Sequence, residues 1–172
     1  MYQSKMALSC ASLMLLASCA APTPTENEQA ERTIYLVRHA EKALSGDNPP
    51  LTARGQARAR ALAARLTDAG IKTIYSTDFR RTRDTAAPLA DRLDLTTVLY
   101  DHRSLEGFAN QLLASSGPAL VVGHSNTTPA LVALLGGDPG TPIREADEYD
   151  RLYMLTTEPG GGVRTILQRY GN

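Results

Sequence analysis

The sequence predicts an α/β domain of three layers (α/β/α), with helices on both faces of a mostly parallel central sheet and an antiparallel hairpin at its C-terminal end. Three observations lead there. Short β-branched or apolar runs alternate with longer Ala- and Leu-rich segments from Thr33 to Gly137. A repeated β-α order implies parallel strands joined by crossover helices. The tail, Arg151 to Tyr170, breaks that rhythm with two strand-like runs around a Gly-rich turn, the pattern of a hairpin. At 172 residues the chain has the size of one domain with a hydrophobic core.

The elements follow in order. "TIYLVRHA" is a short, mostly β-branched or apolar run that reads as a buried strand. "TARGQARARALAARLTDAG" carries Ala57, Ala61, Leu62 and Leu66 on one helical face, with Thr52 as N-cap and Gly70 as stop. "KTIYST" is a second strand and "FRRTRDTAAPLADRL" a second helix; "TTVLYD" and "SLEGFANQLLASSG" repeat the pair. "PALVVGH" is the fourth strand, and "NTTPALVALLGG" the helix after it. Pro129 fits that helix only in its first turn, where a missing N–H breaks no bond.

Composition restricts the partners. Lys plus Arg and Asp plus Glu number 18 each, so no global field draws nucleic acid or an anionic surface. Any basic site must be local. The N-terminus reads separately: Lys5, an apolar stretch from Met6 to Ala17, then small residues. That stretch is shorter than the roughly 20 residues needed to span a bilayer, and its layout is that of an export signal. Leu16-Ala17-Ser18-Cys19 is similar to a bacterial lipobox. The expected organisation is a signal peptide over 1–18, a lipidated Cys19 with a flexible tether to residue 32, and a catalytic domain over 33–172. Lipidation at Cys19 would anchor the protein to a membrane, with the outer membrane, facing the periplasm, as the expected place. With Cys10 removed, Cys19 is the one cysteine left, which excludes an intramolecular disulfide.

Ligands of open α/β sheets bind beyond the carboxyl ends of the strands. The first strand ends in Arg38-His39, the second runs into Arg80-Arg81-Thr82-Arg83, the third ends in Asp101-His102 and the fourth in His124. If those strands are parallel, all these groups share one edge. Basic and imidazole groups concentrated there, in a neutral chain, point to an anion pocket. "GHS" after a strand also suggests a nucleophile elbow at Ser125, but position 127 is Thr rather than the permissive residue that turn needs. No histidine follows Ser125 in the chain, whereas the triad histidine of that fold does. Ser125 or Asn126 reads better as the cap of the next helix. The three histidines lack the spacing of a metal site, so neither metal nor cofactor is expected. His102 reads as structural or exposed, and Arg80 and Arg83 as solvated helix-face charges.

"YLVRHAEKA", "LTARGQARA", "YSTDFRRTRDTA" and "VVGHSNTTP" together resemble the histidine phosphatase superfamily, which includes the cofactor-dependent phosphoglycerate mutases. The resemblance implies a phosphoglycerate mutase-like fold and a small phosphorylated substrate. It implies that His39 is the nucleophile and that Arg38, Arg81 and His124 bind the phosphoryl group. Ala40 stands where the family has glycine. For the general acid, the resemblance points to a carboxylate after the third strand, where Asp101 is favoured at the strand tip, with Glu106 as the alternative and Glu41 as a third possibility. The stretch Glu145 to Asp150 reads as a solvated loop that could rim the pocket. Only one helix separates the third and fourth strands, leaving little material for a lid. That favours hydrolysis over phosphoryl return, and a metal-independent phosphomonoesterase over a mutase. The non-catalytic alternative is an envelope lipoprotein that binds a phosphorylated ligand.

Overall fold

The computed structural model describes Met1, residues 32–158 and residues 160–171. The expected signal peptide beyond Met1, Cys19 and all of the tether except Arg32 lie outside the described residues. Six strands and four helices follow in the order β1 (Thr33–Arg38), α1 (Ala53–Leu66), β2 (Thr73–Ser76), α2 (Arg80–Leu93), β3 (Thr97–Leu99), α3 (Leu105–Ala114), β4 (Ala119–Gly123), α4 (Thr127–Leu134), β5 (Arg151–Thr157) and β6 (Val163–Arg169). They form one sheet of order β3-β2-β4-β1-β5-β6. β1 to β4 run parallel, and β5 and β6 complete the sheet as an antiparallel hairpin beside β1. This is the expected α/β architecture.

Side-chain alternation along β1 splits the core between the two faces. Ile34 and Leu36 pack with Phe108 and Leu112 of α3 and with Leu131 and Val132 of α4. Tyr35 and Val37 pack on the other face with Leu62 and Leu66 of α1 and with Leu89 of α2. Those two clusters make the three layers. Every residue of β4 is buried, as expected for a strand covered on both faces.

Thr52 caps α1 as expected, its hydroxyl accepting from the Gly55 N–H. The expected face is met in part: Leu62 and Leu66 are buried, but the alanines beside them are not those of the expected stripe. Gly55, Ala59, Leu62, Ala63 and Leu66 are buried with Arg58, while Ala57 is exposed and Ala61 half-buried. Arg58 tolerates burial because Glu41 accepts from its Nε and Nη2, and the Tyr170 carbonyl accepts from its Nη1 at 2.7 Å. Pro129 is the third residue of α4, within its first turn. Arg32, expected at the end of the tether, belongs to the domain. It is 8% exposed and donates to the carbonyls of Leu112, Leu113 and Ser115 at the end of α3, where a helix leaves acceptors unpaired and favours a cation.

Candidate active site

Parallel pairing of β1 with β4 brings Arg38 opposite Gly123, so the residues just past both strands meet at one edge. The His39 N–H donates to the Gly123 carbonyl at 2.9 Å. A side chain at Gly123 would crowd its surroundings: a Cβ would stand 2.9 Å from the Tyr100 hydroxyl and 3.0 Å from Thr128 Oγ1. The His39 and His124 rings lie 5.6 Å apart, edge to face. A pocket of 370 Å³ opens onto both, with Arg81, Lys42 and Glu145 also lining it.

His39 is 3% exposed. Its Nδ1 lies 2.8 Å from the Ala40 carbonyl. A carbonyl can only accept, so Nδ1 carries the hydrogen and the lone pair sits on Nε2. Burial, followed by the nearby Arg38, Arg81 and His124, pushes its pKa down to about 3. The ring is therefore neutral near neutral pH, the form that can attack phosphorus. The Ala40 N–H donates to Thr85 Oγ1, and among the described residues Asp94 is the only non-glycine with positive φ. The backbone at Ala40 thus makes no demand that only glycine could meet.

His124 is held by β4, α2 and α4 together. Its Nε2 meets the Thr77 hydroxyl at 3.0 Å, and its Nδ1 lies 3.4 Å from Arg81 Nη2. Its own N–H donates to Thr127 Oγ1. Burial and then Arg81 lower its pKa to about 4. Ser125 has no part in these bonds, so His124 does not activate its hydroxyl. The expectation that Ser125 or Asn126 caps α4 is half met: Asn126 stands at the cap position, but its side chain makes no capping bond.

The two arginines differ. Arg38 is 2% exposed. Its Nη1 donates to the Arg144 and Glu148 carbonyls, its Nη2 donates to the Glu145 carbonyl, and its guanidinium lies over the Tyr149 ring at 4.0 Å. Arg81 rests over Phe79 at 4.3 Å. In both, Nε is buried with no hydrogen-bond partner. Burial lowers the pKa of each guanidinium, and the proximity of Arg38 adds to the effect on Arg81. Arg80 and Arg83 are surface charges as expected, paired with Asp84 and Asp78.

None of the three carboxylates proposed as general acid lines this pocket. Asp101 is exposed and turned to its own neighbour: its Oδ1 accepts from the Arg103 N–H and from Arg103 Nε, and those bonds lower its pKa. Glu41 is held by Arg58 and Arg54. Glu106 lines a separate hollow. The pocket instead holds His102 and Glu145. The His102 ring stands edge-on to Phe79 at 5.4 Å and to His124 at 5.6 Å, so it belongs to the site rather than to the structural background.

Comparison with known proteins agrees with this geometry. Residues 34–106 match the histidine phosphatase superfamily (branch 1). A protein of Escherichia coli named "Probable phosphoglycerate mutase GpmB" is 38% identical over 80 residues, 42% of this chain and 37% of that protein. A relative of the same name from Enterobacter is 38% identical over 73 residues, 38% of this chain and 34% of its own length. The chain thus spans little more than a third of the curated relatives it matches. Among solved structures, the protein histidine phosphatase SixA with tungstate superposes with a TM-score of 0.64 at 20% identity, covering 81% of this chain and 97% of that one. A mycobacterial glucosyl-3-phosphoglycerate phosphatase gives 0.63 at 16% identity, covering 83% and 99%. At such identities these likenesses establish the fold.

Proposed function

We propose that the protein is a metal-independent phosphomonoesterase working through a phosphohistidine on His39. One observation carries this reading. Arg38 and Arg81 each keep a buried, unpartnered Nε donor beside a neutral histidine whose lone pair sits on Nε2. An unpartnered buried N–H costs about 1–3 kcal/mol, and clustered cations repel, so the site favours an anion. Phosphate dianion satisfies both demands.

In the first step His39 Nε2 attacks phosphorus, and the bond from phosphorus to the leaving oxygen breaks. Arg38 Nε–H, Arg81 and His124 hold the charge that spreads over the equatorial oxygens. The leaving oxygen takes a proton from His102, which stands in the pocket where Asp101 does not. Water then attacks the phosphohistidine, its oxygen bonding to phosphorus as the P–N bond breaks and its proton passing to the now neutral His102, which releases inorganic phosphate and restores both histidines. Only α3 lies between β3 and β4, so little covers the intermediate, and water reaches it. Metal is not required by this scheme because two guanidiniums supply the charge.

Export and lipid anchoring through Cys19, at the outer membrane facing the periplasm, belong to the same proposal. Their support is the apolar run ending in Leu16-Ala17-Ser18-Cys19, and loss of fatty-acid labelling in Cys19→Ser tests them. For the chemistry, p-nitrophenyl phosphate is incubated with the protein, with and without EDTA, and the reaction is quenched rapidly. Acid-labile, base-stable phosphate on protein is expected, absent in His39→Ala. Turnover abolished by EDTA, or label that persists in His39→Ala, would sink the mechanism. Phosphate binding with no turnover of any ester would favour a non-catalytic binding protein.

A further inference from the structure

Beside the phosphate pocket lies a second hollow, of 520 Å³, that the chemistry above does not use. The two share Ser125, Asn126 and Glu145. Beyond those residues the walls turn apolar: Ala130 and Ala133 of α4 on one side, Pro142 and Ile143 of the following loop on the other. Ala130 and Ala133 are both exposed, and their spacing of three puts them on one helix face. Two methyl groups there leave open space that longer side chains would fill.

We propose that this hollow is the leaving-group subsite, and that the substrates are phosphomonoesters of uncharged, apolar alcohols. The inference rests on the phosphomonoesterase reading and names its substrate class. A phosphoryl group seated against His39, Arg81 and His124 must direct its ester oxygen out of the pocket, and the shared wall of Ser125 and Asn126 leads to the hollow. Sugar hydroxyls would meet alanine and proline there without partners, at a desolvation cost. A carboxylate on the leaving group would meet Glu145 at the junction and be repelled. An alkyl or aryl group gains from burial on the same walls. The reaction is the hydrolysis already described: the P–O bond breaks, the alcohol leaves with a proton, and water supplies the replacing oxygen.

The test is the n-alkyl phosphate series from ethyl to hexyl, kept below micellar concentrations. Leaving-group basicity barely changes along it, so chain length alone varies. The expected result is a rise in kcat/KM of up to about fourfold per methylene until the hollow is filled, carried mainly by KM. Ala130→Asp and Ala133→Asp, each on the exposed helix face, flatten the rise. A flat series in the native protein overturns the proposal, as does a slope that both substitutions leave intact or a preference for 3-phosphoglycerate over hexyl phosphate. Calorimetry with ethyl- and hexylphosphonate, whose P–C bond resists hydrolysis, separates the two readings. Tighter binding of hexylphosphonate without turnover of any ester supports the subsite and sinks the phosphatase. Equal affinities, or no binding of either, overturn the subsite.

Discussion

Mild acid should destabilise this protein through the two histidines that make its pocket. A free imidazole titrates at 6.5, whereas burial holds His39 to about 3 and His124 to about 4. Between those values the unfolded chain binds a proton at each position and the native one does not. Stability therefore rises with pH across that window and is lost as pH falls through it. Lowering the pH from about 7 to about 5 costs about 2 kcal/mol for each histidine, about 4 in all, a large share of the 5–15 kcal/mol typical of a domain. Glu148, drawn down to about 2 chiefly by its bonds to Arg151, loses its contribution only below the ordinary carboxylate value of 4.5, so it stays out of this window. Urea denaturation at pH values between about 7 and 5 measures the loss, and His39→Gln should remove about half of it by deleting one proton acceptor. Saturating inorganic phosphate should shrink the loss, because an anion favours the protonated rings. Equal stability at both pH values would refute the reasoning, as would a slope in His39→Gln as steep as the native one.

Three further outcomes follow from the geometry. Arg81→Ala should lower kcat at least a hundredfold, about 3 kcal/mol of barrier, and Arg81→Lys should not restore it because an ammonium lacks the planar fork and the stacking on Phe79; steady-state kinetics of both variants decide this. His102→Ala should slow alkyl phosphates far more than p-nitrophenyl phosphate, whose leaving group needs no proton, and an equal loss on both would remove His102 as the donor. Gly55→Ala would drive a Cβ into the Glu41 carbonyl oxygen, and overpacking of this kind costs about 1–3 kcal/mol, read as a fall in Tm.

The fold and half of the site were legible because they rest on periodicity and strand order. Parallel strands must deliver Arg38-His39 and His124 to one edge, whatever the side chains between them do. On α1 the leucines mark the buried face but the alanines do not, because alanines occur all round that helix, and an Arg58 that is buried through Glu41 and Tyr170 reads from sequence as solvent-facing. Asp101 was misplaced for a local reason. A strand tip fixes the backbone, but an aspartate can bond the N–H two residues on, and Asp101 does so with Arg103. That turn leaves the next residue, His102, in the pocket. Glu145 lies in a loop without periodicity, held by contacts more than a hundred residues away in sequence, and no local signal could have placed it firmly in the wall.

Those distant contacts also change what Arg38 does. Its Nη1 and Nη2 are occupied by the carbonyls of Arg144, Glu145 and Glu148, so the residue that reads as a phosphoryl clamp is equally the pin of the 144–150 loop. Glu148 secures the loop from its other side, accepting from the Arg144 N–H and from Arg151, with Arg169 beside it. Glu145 lines both the phosphate pocket and the apolar hollow. In the proposed mechanism, strand β1 therefore positions the nucleophile, one phosphoryl donor and, through Arg38, the wall that the leaving group passes. Among the described residues Arg81 pins no loop: its Nη2 reaches toward His124, its guanidinium rests over Phe79, and it lines the pocket. Loss of activity on replacing Arg38 would combine loop and phosphate effects, while the same loss at Arg81 measures the phosphoryl contact more directly. Of the two arginines, Arg81 is the cleaner gauge of how much the pocket stabilises the transferring group.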